Sequence, residues 1–149
     1  RRGDLDIVQL LLGHPHQAPL NLNALTDKDG WTPLHYAAFM GYRDDDFPLL
    51  YLDWLHGDHV GVVQALLNYP SQPPLDINAT NEKGYTALHL ASSRGNIMIV
   101  KQLLGRGAAL NVHGRDGKTA LMMAVEGRQS RMVQTSSIEA FLLSQPDID

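Results

Sequence analysis

The apolar positions of this chain fall into short helical stretches separated by polar, glycine-bearing turns. In "IMIVKQLL", Ile97, Val100, Leu103 and Leu104 recur at steps of three and four, which puts them on one face of a helix. The same kind of pattern predicts helices in "GDLDIVQLLL" near the start and in "SSIEAFLLSQPDID" near the end. Between them lie alanine-rich segments such as "WTPLHYAAFMG" and "YTALHLASSRG". Thr32 and Thr86 stand where a side-chain oxygen can cap a helix N-terminus, and Pro33 suits the first helical position because it has no N–H to leave orphaned. Gly41 and Gly95 are placed to close these helices. Small Ala37, Ala38 and Ala91 let a neighbouring helix approach closely. The pattern therefore predicts a unit made of a helix, a turn, a second helix and a polar loop.

Self-comparison shows that the unit recurs. Gly84, Thr86, Ala87, Leu88 and Ala91 reappear as Gly117, Thr119, Ala120, Leu121 and Ala124, every pair at one and the same offset. Upstream, Gly30, Thr32, Leu34, His35, Ala37 and Gly41 match Gly84, Thr86, Leu88, His89, Ala91 and Gly95 at a second, longer offset that is again constant. A single unit cannot enclose its own apolar face, so such units must stack to share a core. The period and the segments "GWTPLHYAA", "GYTALHLA" and "LLGRGAALNV" resemble the ankyrin repeat, whose pattern contains Thr-Pro-Leu-His and a closing Gly-Ala-x-x-Asn. The resemblance implies an all-α fold, an ankyrin-repeat solenoid of helix-turn-helix units with loop or β-hairpin fingers.

Residues 1–149 then read as one array: a partial repeat over 1–25, an expanded repeat over 26–79, a regular repeat over 80–112 and a degenerate repeat over 113–149. The first part carries only a second helix and its exit loop, and neither end reads as a cap, so we expect a segment of a longer array. The step from Gly41 to Val63 is far longer than the matching step from Gly95 to Val100, which marks an insertion, residues 43–57, between the two helices of the expanded unit. If that insertion is helical, Phe47, Leu50, Tyr51, Trp54 and Leu55 share a face, with Asp44, Asp45 and Asp46 at its start. Two readings of it stay open: Trp54 and its neighbours pack onto the array's own helices, or they form an apolar plug with an acidic rim that meets a partner. In the last unit Met122 stands in place of the histidine and Ala120 in place of the proline. Lost caps and polar links are expected to leave that end less stable.

Composition narrows the function classes. Apolar residues make up 44% of the chain and charged residues 19%, the balance of a globular protein rather than a disordered one. There is no cysteine, which excludes disulfides, Cys-based zinc sites and thiol nucleophiles. Sixteen acidic residues against 12 basic ones give a net charge of −4, which disfavours nucleic acid as a partner. No apolar run approaches the roughly 20 residues of a membrane span, so no membrane insertion is expected. The chain reads as intracellular, cytoplasmic or nuclear.

The candidate chemistry is sparse. By the resemblance, His35 and His89 serve inter-unit hydrogen bonds rather than catalysis. His56 and His59 lie near Asp53 and Asp58, a metal-capable set by residue type whose spacing fits no ligand motif. The glycines fall at repeat boundaries and form no phosphate loop, and no nucleophile sits beside a base. We expect no enzyme, no cofactor and no metal. Arg2-Gly3-Asp4 and the sequon Asn78-Ala79-Thr80 are read as chance matches, Asn78 being the asparagine that ties down the exit loop in the ankyrin pattern.

Ankyrin repeats bind through the concave groove made by the fingers and the exposed side of the first helix. Carried onto this sequence, the finger positions are Lys28 and Asp29, Glu82 and Lys83, Arg115 and Asp116, followed after the glycine by Trp31, Tyr85 and Lys118. The last exposed helix positions are Phe39 and Met40, then Ser93 and Arg94, then Glu126 and Gly127. The resemblance thus implies a protein or peptide partner held by an aromatic patch of Trp31, Phe39, Met40 and Tyr85, flanked by Arg94 and mixed charges. Trp31 packing on a preceding finger is the competing reading. Asp44, Asp45, Asp46, Phe47 and Trp54 form a second candidate contact. A further alternative is a non-catalytic targeting or regulatory module of a larger protein.

Overall fold

A computed structural model describes residues 2–13, 20–26, 28–40, 59–71, 73–130 and 136–146. The insertion 43–57, and with it Asp44, Asp45, Asp46, Phe47 and Trp54, lies outside the described residues. The described helices are α1 (Arg2–Leu12), α2 (Pro33–Met40), α3 (His59–Asn68), α4 (Ala87–Arg94), α5 (Ile97–Gly105), α6 (Ala120–Ser130) and α7 (Ser136–Leu143). They form two layers: α2, α4 and α6 pack in succession, and α1, α3, α5 and α7 pack in succession behind them. No strand occurs among the described residues, and the fingers are hydrogen-bonded turns.

Local chemistry explains where the helices start and stop. Thr32 Oγ1 accepts the His35 backbone N–H at 3.3 Å, with Pro33 at the first helical position of α2. In α4 the Thr86 N–H donates to His89 Nδ1 at 3.2 Å, so histidine takes the part that a glutamate plays in an ordinary capping box. Asn96 caps α5 by accepting from the Ile99 N–H at 3.1 Å. Gly95 ends α4 at φ 80°, a left-handed conformation that costs glycine little, and its N–H returns to the last turn. Arg128 takes the place of Gly95 one repeat later, and without glycine there α6 runs on to Ser130.

The core lies between the layers. Leu34, Leu88, Ile99, Leu103, Ile138 and Leu142 are fully buried, each contributing on the order of 2 kcal/mol by apolar burial. Ala38, Ala91, Ala120 and Ala124 are likewise sealed, which lets the inner helices approach closely. Gly127 carries this furthest, since a Cβ there would lie 2.5 Å from the Ser93 carbonyl oxygen of α4. It therefore belongs to the helix contact and not to the exposed edge that alignment alone gave it.

Polar links tie each unit to the next. His35 Nδ1 accepts from the Thr32 N–H at 3.0 Å, and its Nε2 meets the Tyr85 carbonyl at 2.9 Å. A carbonyl only accepts, so the proton sits on Nε2 and the ring is neutral. His89 repeats the arrangement with Thr86 and the Lys118 carbonyl at 3.1 Å. At the other end of the units, Asn23 Oδ1 accepts the Asp76 N–H and Asn23 Nδ2 donates to the Pro74 carbonyl, both at 2.8 Å. Asn78 Oδ1 accepts the Ala109 N–H at 2.8 Å, which gives this asparagine a structural role. The last unit keeps part of its cap, because the Met122 N–H reaches Thr119 Oγ1 at 3.4 Å. The histidine arm is what it lacks; Met122 is 51% exposed.

Candidate groove between neighbouring fingers

The fingers are built alike and bonded to each other. The Thr26 N–H donates to the Trp31 carbonyl, the Asn81 N–H to the Tyr85 carbonyl and the Gly114 N–H to the Lys118 carbonyl, at 2.9–3.0 Å. Between fingers, the Glu82 N–H donates to the Asp29 carbonyl at 3.1 Å and the Arg115 N–H to the Lys83 carbonyl at 2.9 Å. Their side chains are left to face solvent along one edge, where Lys28, Asp29, Glu82, Lys83, Arg115 and Asp116 are all exposed.

Where two neighbouring fingers meet the inner helices, a cleft of about 410 Å³ opens. Seven of its lining residues, Asp29, Trp31, Phe39, Glu82, Lys83, Tyr85 and Ser93, are among those expected from the sequence. The other three, Asn81, Leu90 and Met123, lie outside the expected lining. Trp31 is half-buried, with its indole 4.9 Å from the Tyr36 ring and 5.1 Å, edge-on, from the Phe39 ring. Its described ring contacts are therefore with α2, the helix that follows it. Tyr36, 40% exposed, extends the aromatic surface beyond the expected set.

Tyr85 forms the opposite wall. Its ring stacks on His89 at 5.5 Å and lies against Gly114, where any Cβ would come within 2.5 Å of it. Its hydroxyl donates to Asp116 Oδ2 at 2.6 Å. That bond holds the Asp116 carboxyl below its ordinary pKa and raises the Tyr85 phenol above its own. Lys118 Nζ lies 2.7 Å from Glu126 and 3.6 Å from Asp116, and the hydrogen bond to Glu126 raises its pKa. Asp116 and Lys118 thus brace the Tyr85 side of the cleft without lining it. Arg94 also stands outside the lining; its guanidinium lies 3.7 Å from the centre of the Phe39 ring. Met40 is exposed but outside the cleft, as are Lys28 and Arg115.

Of the residues weighed for chemistry, Asp53, His56 and Asp58 lie outside the described residues, and the two repeat histidines are committed to structure. His35 and His89 are buried, which lowers both pKa values, and each commits both ring nitrogens to structural bonds. Among the described residues no group of three or more His, Asp or Glu is placed to hold a metal ion, and no helix is long and apolar enough to cross a membrane.

Comparison with known proteins agrees with the fold. The family profile described as ankyrin repeats in three copies matches residues 50–135, and a second, ankyrin repeats in many copies, matches residues 1–56. The chain is similar to the NF-kappa-B inhibitor cactus of Drosophila melanogaster, 32% identical over 108 residues, covering 71% of this chain and 18% of that protein. It is 42% identical over 129 residues to the BTB/POZ domain and ankyrin repeat-containing protein NPR2 of Oryza sativa subsp. japonica, covering 87% of this chain and 15% of the relative. Delta-latroinsectotoxin-Lt1a of Latrodectus tredecimguttatus is 32% identical over 101 residues, covering 68% of this chain and 7% of the toxin. The chain thus spans less than a fifth of the length of each of these relatives. Matching helices, histidine links and family profiles lead to one conclusion: this chain belongs to the ankyrin-repeat family.

Proposed function

We propose that the chain is a non-catalytic binding module that holds a partner protein or peptide in the groove between its fingers and inner helices. Ankyrin repeats generally mediate protein–protein interaction, and the observation that carries the reading here is the cleft walled by Trp31 and Phe39 from one unit and Tyr85 from the next. Large, rigid aromatic side chains bury much area at low entropic cost, which is why they dominate binding energy at interfaces. The acidic and basic finger residues around them supply a polar rim. Asp44, Asp45, Asp46, Phe47 and Trp54 of the insertion are a second proposed contact. The test is affinity purification on the full-length protein in parallel with its Trp31→Ala/Tyr85→Ala variant. Partners lost from the variant support the groove, and an unchanged set of partners refutes it.

A second reading has its own support. The chain spans 15% of a rice protein whose name pairs ankyrin repeats with a BTB/POZ domain, so the same segment fits a targeting or regulatory module within a larger protein. Such a module still needs a binding surface, and the same cleft serves.

A further inference from the structure

The hydrogen-bonding capacity of the cleft is one-sided. Tyr85 has committed its hydroxyl proton to Asp116, and Ser93 has committed its own to the Leu90 carbonyl at 2.9 Å, so both oxygens present lone pairs. Asp29 and Glu82 add two carboxylates, neither of which forms an ion pair among the described residues, against the ammonium of Lys83 and the side-chain amide N–H groups of Asn81 in the lining. Acceptors and aromatic faces therefore outnumber donors. Phe39 already carries the guanidinium of Arg94 at 3.7 Å, so a ring of this aromatic cluster accommodates that group.

We propose that the cleft recognises an arginine side chain of the partner, its guanidinium lying against the aromatic walls and donating to Asp29 and Glu82. The inference rests on the groove reading and deepens it. A guanidinium fits better than a compact ammonium because it is planar, weakly hydrated and carries five donors in a fixed fork. A leucine or phenylalanine would fill the space and leave the acceptors without donors, and an anionic side chain would meet two carboxylates.

The test uses the intrinsic fluorescence of Trp31, isolated by Trp54→Phe since the chain has two tryptophans. The 149-residue chain is titrated with blocked host peptides that differ at one central residue, arginine, leucine or glutamate. The inference expects a saturable change with the arginine peptide at an affinity at least fivefold above the other two. Asp29→Asn with Glu82→Gln should weaken it at least tenfold while leaving the circular dichroism unchanged, because the finger bond between these residues is made by the backbone. A leucine peptide that binds as well as arginine, or an arginine affinity indifferent to the two substitutions, overturns the arginine inference and leaves the groove standing. A Trp31 signal unmoved by every peptide overturns both.

Discussion

His35 donates through Nε2 to the carbonyl oxygen of Tyr85 at 2.9 Å, so one imidazole both joins neighbouring units and fixes the backbone of the cleft's far wall. The cleft wall and fold stability are coupled at that bond. His35→Ala would leave the buried Thr32 N–H without its partner, take one of two bonds from the Tyr85 carbonyl, which keeps the Asn81 N–H, and open a cavity. The expected loss is about 2–4 kcal/mol of unfolding free energy, measured by urea denaturation. A loss below about 0.5 kcal/mol would show that this link is not what holds the units in register.

The same histidines make stability depend on pH. Burial lowers the pKa of His35 and His89 in the folded chain, whereas in the unfolded chain they return to about 6.5. Above that value both states are neutral and the stabilisation is complete. As pH falls below it, the unfolded state takes up protons that the folded state resists, and stability is lost toward the folded pKa values. Melting temperature should therefore drop between pH 7 and pH 5, and His35→Gln should lower the whole curve but flatten its slope in this window. An equally steep slope in that variant would assign the effect to other groups.

Much of the fold was legible because its determinants are local. Thr32, Pro33 and His35 cap α2 through bonds within three residues, and the constant offset between units placed Trp31 and Tyr85 in equivalent positions after a glycine. The cleft was legible only in part. Leu90 is 4% exposed and spaced like any core leucine, and its place in the cleft floor depends on how neighbouring helices diverge, which no local pattern encodes. Met123 was missed for the same reason. Met40 is exposed, as expected, but it stands about 100° further around the helix than Phe39, outside the cleft. The aromatic partners of Trp31 are similarly a tertiary outcome, set on α2 by Tyr36 and Phe39.

Gly127 sets two effects against each other. Alanine in a helix is favoured over glycine by about 1 kcal/mol. A Cβ at this position would nevertheless lie 2.5 Å from the backbone oxygen of Ser93, a neighbour that cannot rotate away. Overpacking of that kind costs about 1–3 kcal/mol, so Gly127→Ala should lower the melting temperature. A rise would mean that α6 can shift away from α4 at little cost.

The last unit lacks the histidine arm and ends its first helix without a glycine. Backbone amides of α6 and α7 should therefore exchange with solvent hydrogen faster than those of α4 and α5. The buried Ile138 and Leu142 keep this unit folded on the array, so the difference is one of local opening and not of absence. Equal protection across the four helices would contradict this gradient.

The central claim is that Trp31 and Tyr85 hold the partner from two neighbouring units. Its most direct test is an isothermal titration of a purified partner into the chain and into its Trp31→Ala/Tyr85→Ala variant, with circular dichroism confirming that both remain folded. The account predicts that the variant loses at least about 2 kcal/mol of binding free energy, roughly thirtyfold in affinity. An affinity unchanged within error, in a variant that keeps its helices, would contradict it.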